Sequence, residues 1–74
     1  MGNVVITAPV GGSIWMLAVG VDQEVTAGAL LLILEVMKTE FPIEAPVKGR
    51  VVWLGTCNAT VEVGDKLVVL ESAD

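Results

Sequence analysis

Ala29-Leu30-Leu31-Leu32-Ile33-Leu34-Glu35-Val36-Met37-Lys38 reads, by itself, as a helix, because alanine, leucine, glutamate, methionine and lysine are strong helix formers. Later in the chain stands Leu67-Val68-Val69-Leu70-Glu71, whose β-branched centre favours a strand. The two segments are copies of one unit. Val25, Gly28, Leu31, Leu34 and Glu35 recur as Val61, Gly64, Leu67, Leu70 and Glu71, displaced by 36 positions. Copies of one unit should adopt one structure, so both segments are predicted to be strands. Pro42 also limits any helix running on from Ala29.

A second block repeats in the same way. Ala8-Pro9-Val10-Gly11-Gly12-Ser13-Ile14 recurs as Ala45-Pro46-Val47-Lys48-Gly49-Arg50-Val51, displaced by 37 positions. One residue has dropped out between the two blocks, in a predicted loop where deletion is tolerated. A single domain of residues 1–74 therefore holds two pseudo-repeats, about 5–35 and 41–71. Further strands are expected over 4–8, 13–18, 40–45 and 50–54. Ala-Pro followed by Gly marks a turn in each half, since proline fixes φ and glycine accepts positive φ. Gly28 and Gly64 mark a second turn, and Asp22 and Asn58 are types that tolerate the left-handed conformation. The expected fold is all-β: a flattened barrel or sandwich of two quasi-symmetric four-stranded sheets. Pairing the halves about a pseudo-twofold axis would bury both apolar faces and place the termini opposite Lys38.

Composition supports such a core. A chain of this size buries only about 60% of its unfolded surface. With one cysteine, Cys57, no internal disulfide can compensate, while 54% hydrophobic residues and a mean hydropathy of +0.78 can. A reduced, cytoplasmic setting is expected. The longest apolar run, Ala29 to Leu34, is far short of the ~18 residues a spanning helix needs, so no membrane role is expected. No basic region precedes the first apolar residues, and a Met1-Gly2 acylation motif fails because Ile6 stands where Ser or Thr is required. Nine acidic residues against four basic ones give a net charge of −5. Lys38, Lys48, Arg50 and Lys66 form no basic run, which argues against nucleic-acid binding. The absence of histidine removes most metal and acid–base schemes. Cys57 reads as an inert loop or core residue, and Trp15 and Trp53 as partly buried packing residues, one in each half.

Between the repeats lies Glu35-Val36-Met37-Lys38-Thr39-Glu40. If the strands on either side pair, Met37-Lys38 is a two-residue hairpin tip. Tight hairpins prefer Asn-Gly or Asp-Gly there, so methionine and lysine need another reason to be present.

These residues resemble the biotinyl-domain family, which carries a modified lysine in Met-Lys-Met, usually preceded by Glu-Ala and followed by an Ala-Pro-x-x-Gly stretch. Glu35, Met37 and Lys38 match, and Ala45-Pro46-Val47-Lys48-Gly49 stands in the expected place. The resemblance covers residues 5 to 71, without the protruding thumb insertion of bacterial acetyl-CoA carboxylase carriers. It implies a biotin carboxyl carrier domain, itself not an enzyme, belonging to a biotin-dependent carboxylase, decarboxylase or transcarboxylase. Lys38 would be the covalent attachment point, flanked by Met37, Thr39, Val36 and Glu35. Biotin protein ligase, biotin carboxylase and carboxyltransferase would be the partners of a monomeric domain. Val36 stands where the family usually has alanine, and Thr39 where it has a second methionine that helps carboxylase partners accept the biotin. Glu35 would serve ligase recognition or, like Glu71, a strand end. Lipoyl domains share the fold and the tip lysine, but usually place Asp before it and Ala after it. Met37 favours biotin over lipoate. The remaining alternatives are a lipoyl carrier of a dehydrogenase complex and an unmodified interaction module.

Overall fold

A computed structural model describes residues 2–72. Met1, on which the acylation reading falls, lies outside the described residues, as do the last two. Eight strands follow in order: β1 (Asn3–Thr7), β2 (Gly12–Leu17), β3 (Glu24–Val25), β4 (Leu30–Val36), β5 (Thr39–Glu44), β6 (Gly49–Leu54), β7 (Thr60–Val61) and β8 (Lys66–Ser72). They form two antiparallel four-stranded sheets, ordered β1-β8-β6-β3 and β5-β4-β2-β7. The described residues contain no helix, and Leu30–Val36 is a strand, as its repeat partner requires. The strands expected over 4–8, 13–18 and 40–45 appear one residue earlier, 50–54 gains Gly49, and the segment 29–38 is a strand only over Leu30–Val36, with Met37 and Lys38 in the turn. The two-residue strands β3 and β7 complete the sheets.

The halves are interleaved rather than placed side by side. β1 of the first half pairs with β8 of the second, β3 pairs with β6, and β2 pairs with β7. Displacing the pairs of one sheet by the repeat offsets gives those of the other: Asn3↔Glu71 becomes Glu40↔Glu35, and Val4↔Leu70 becomes Phe41↔Leu34. The loop after β2 is one residue longer than the loop after β6, which accounts for the change of offset.

Duplicated bulges explain why β4 and β8 do not alternate apolar with polar. Pairing skips Leu31 between Glu44 and Ile43, and Leu67 between Thr7 and Ile6. The extra residue lets two consecutive side chains point inward. Leu31 with Leu32, and Leu67 with Val68, are all fully buried, and Ile14, Leu34, Val51 and Leu70 complete the centre of the core. Full burial of each such side chain contributes about 1.5–3 kcal/mol. Among the described residues no polar or charged side chain is buried, so the core needs no internal hydrogen bonds to side chains.

A second duplicated bulge leaves Trp15 and Val52 unpaired. It shifts the alternation, and Trp15 and Trp53 are more exposed than packing residues, at 47% and 40%. Lys66 Nζ lies 4.3 Å from the Trp53 ring centroid, where the cation meets the electron-rich ring face. Cys57 is exposed in the β6–β7 loop, its thiol within 3.4 Å of the Trp15 carbonyl oxygen.

Candidate functional site

β4 and β5 pair down to Val36↔Thr39, leaving Met37 and Lys38 as the two residues of the connecting turn. Their φ angles are 48° and 67°, the two positive values of a type I′ turn. Four described non-glycine residues adopt positive φ. Two are Asp22 and Asn58, whose short polar side chains accept the left-handed region. Met37 and Lys38 have no such excuse. Both side chains are exposed, Met37 at 93%, so no apolar packing compensates for the backbone cost.

The neck of the hairpin is held from one side. Gly12 opens β2 against β4, and a Cβ there would collide with the Glu35 carbonyl oxygen and lie 3.0 Å from a Val36 methyl group. Gly49 makes the equivalent approach to the Glu71 carbonyl. Sequence reasoning took these glycines only as turn residues. Their recurrence at one repeat offset was the available signal for a close backbone approach.

Glu35 and Glu71, equivalent by the repeat, have different surroundings. Arg50 Nη2 donates to Glu71 Oε1 at 3.0 Å and Arg50 Nη1 to Asp22 Oδ1 at 2.8 Å, bridging the chain-end neck to the β2–β3 loop. The Glu71 hydrogen bond and charge, with Asp22 behind them, hold the Arg50 guanidinium above its ordinary pKa. At the hairpin end Ser13 replaces Arg50. Both ion pairs among the described residues involve Arg50, so neither Glu35 nor Lys38 is ion-paired there. Glu40 sits directly opposite Glu35, a charge pairing that the sequence reading did not single out.

Glu35, Val36, Met37, Lys38 and Thr39 are thus gathered on one exposed hairpin, with Lys38 at its apex. The turn holds Met37 and Lys38 beyond the last paired residues of the two strands, both exposed.

The family of biotin-requiring enzymes matches residues 2–70. Among solved structures, a single-chain, multi-domain long-chain acyl-CoA carboxylase superposes on 99% of this chain, with a TM-score of 0.90 and 31% identity. Urea carboxylase of Kluyveromyces lactis superposes on 96%, with a TM-score of 0.88 and 28% identity. This chain spans only 8% and 6% of those two chains. A putative succinylglutamate desuccinylase/aspartoacylase family protein of Shewanella amazonensis shares the fold at 18% identity, with a TM-score of 0.84 over 97% of this chain and 21% of its own. With the match running over nearly its whole length, the chain belongs to the biotinyl/lipoyl-attachment domain family of biotin-requiring enzymes.

Proposed function

We propose that the chain is a biotin carboxyl carrier domain that bears biotin in amide linkage on Lys38 Nζ. The observation that carries this reading is the tip itself: a strained two-residue turn built from methionine and lysine where asparagine and glycine would be cheaper. Met37 ahead of Lys38, and carboxylases as the structures superposing at 31% and 28% identity, favour biotin over lipoate.

The residues present fit a covalently carried group, because attachment needs a reachable amine rather than a pocket. An amine and a free carboxylate do not condense in water unaided. A biotin protein ligase must therefore supply a base for the proton and an activated carboxyl group. The Nζ lone pair then attacks the carboxyl carbon, the amide bond forms, and the activating group leaves. When bound, the cofactor supplies a ureido nitrogen that accepts and gives up a carboxyl group. The chain's own part is mechanical: β4 and β5 hold Lys38 clear of the barrel, and the lysine stem provides the flexible tether. A tether of this kind brings its load to a biotin carboxylase and a carboxyltransferase in turn at high effective concentration.

Incubation with biotin protein ligase, ATP and biotin should add one biotinyl group by intact mass. Lys38→Ala should abolish the increment, while Lys48→Ala and Lys66→Ala should retain it. A lipoyl increment from a lipoate ligase in place of biotin would transfer the chain to the lipoyl carriers. No increment from either ligase would make it an unmodified module. Thr39→Met adds apolar surface beside the tip, worth ~1 kcal/mol of docking at ~25 cal/mol per Å2. It should leave labelling unchanged and raise the rate of biotin carboxylation several-fold.

A further inference from the structure

Four strands form the edges of the two sheets: β1 and β3 in one, β5 and β7 in the other. An open edge offers unpaired backbone groups to any extended chain, and proteins protect edges with short strands, proline and charge. Three of these edges are protected. β3 and β7 are two residues long, and β5 carries Pro42, which has no N–H, between Glu40 and Glu44. β1 is Asn3-Val4-Val5-Ile6-Thr7, with neither proline nor charge. Because the repeat makes β1 and β5 equivalent, the contrast is internal: protection stands on one copy of the strand and is missing from the other.

We propose that the β1 edge pairs with the β1 edge of a second copy of this chain, joining two four-stranded sheets into one eight-stranded sheet. The sequence of β1 is self-complementary about Val5. In antiparallel pairing Val5 faces Val5, Val4 faces Ile6, and Asn3 faces Thr7, so no like charges meet. Val5, 53% exposed on the outer face, would be covered by its counterpart. The flanks do not oppose this pairing. Lys66 flanks Thr7 at one end of β1, and Glu71, already held by Arg50, flanks Asn3 at the other, so antiparallel pairing sets no like charges against each other across the seam. The hairpin bearing Lys38 belongs to the other sheet, so both tips stay accessible. This pairing is independent of whether Lys38 is modified.

Two five-residue strands bury less than the ~1,000 Å2 that a lasting interface clears, so the dimer is weak, with a Kd of roughly 0.1–1 mM. At micromolar concentration such a dimer dissociates, and the chain is expected to run as a monomer there. Sedimentation equilibrium up to about 2 mM, above the whole of that Kd range, should show the weight-average mass rising from 7.7 kDa toward twice that value. Amide exchange in β1 should slow over the same range. Val5→Lys sets two ammonium groups face to face and should hold the chain at 7.7 kDa throughout. Val63→Lys, an exposed change in the loop before β8, should leave the association intact. A chain that stays monomeric at the highest concentration overturns the proposal and leaves the edge to some other segment. So does association that Val5→Lys and Val63→Lys weaken equally, or that leaves β1 exchange unchanged.

Discussion

The left-handed backbone at Met37 and Lys38 costs on the order of 1 kcal/mol per residue relative to residues that accept it freely. That cost is open to measurement because the remedy is known: asparagine then glycine is the favoured pair for this turn. Met37→Asn and Lys38→Gly are each expected to stabilise the domain by about 1 kcal/mol, which raises Tm by roughly 4–8 °C in a domain of this size. Only Met37→Asn should still accept biotin, because it alone leaves the amine in place. A fall in Tm for Lys38→Gly would mean that the turn is not strained. Under the proposed attachment at Lys38, stability and attachment oppose each other at a single residue, and that role would require lysine where glycine is the more stable choice.

The approach of β2 to β4, and of β6 to β8, depends on one missing Cβ in each sheet. Gly12→Ala and Gly49→Ala push a methyl group into the carbonyl oxygens of Glu35 and Glu71, and each should destabilise by about 1–3 kcal/mol in urea unfolding. Gly20→Ala, in open space in the β2–β3 loop, should be close to neutral. Equal stability of all three variants would remove the close-approach explanation. These strands also mark where the sequence was legible. The repeat predicted that 29–36 is extended against its own helical propensity, because Leu67-Val68-Val69-Leu70 breaks the tie. Alternation alone could not have found it, since the bulges at Leu31 and Leu67 turn two neighbouring residues inward and erase the period of two. The displaced exposure of Trp15 and Trp53 has the same origin: a bulge shifts every following side chain relative to its partner. At the site, the tip position of Met37 and Lys38 followed from the junction of the repeats. That two-residue tip also sets the register that opposes Glu35 to Glu40, so this pairing was legible although it was not drawn. Two features were not legible: the contact of Gly12 with the neck requires the close approach of β2, and the Arg50 bridge at the far end requires the packing of the β2–β3 loop.

The pseudo-twofold axis has a consequence for the molecule as a whole, because it exchanges the hairpin tip with the chain ends. Val36↔Thr39, which closes the tip, corresponds to Ser72 and Gly2, and the Ser72 amide already donates to the Gly2 carbonyl oxygen at 2.9 Å. A two-residue link from Ser72 to Gly2 would reproduce the hairpin there, and cutting between Met37 and Lys38 would reproduce the chain ends. The permuted chain opens one loop and closes another of the same length, so the entropy of loop closure is nearly unchanged. With an Asn-Gly link it should show the same all-β circular dichroism and a single cooperative unfolding transition. Failure to fold would show that the two ends are not equivalent in spite of their matching registers. Replacing Asn-Gly by Met-Lys then separates what a ligase reads. The new tip would have the same turn and dipeptide, but its neck would carry Asn3 opposite Glu71, with Arg50 neutralising the glutamate, in place of Glu40 opposite an unpaired Glu35. Biotin on the new lysine would mean that turn and dipeptide suffice. A folded permutant that stays unlabelled would place recognition in the charged neck, where the two halves of the repeat have diverged.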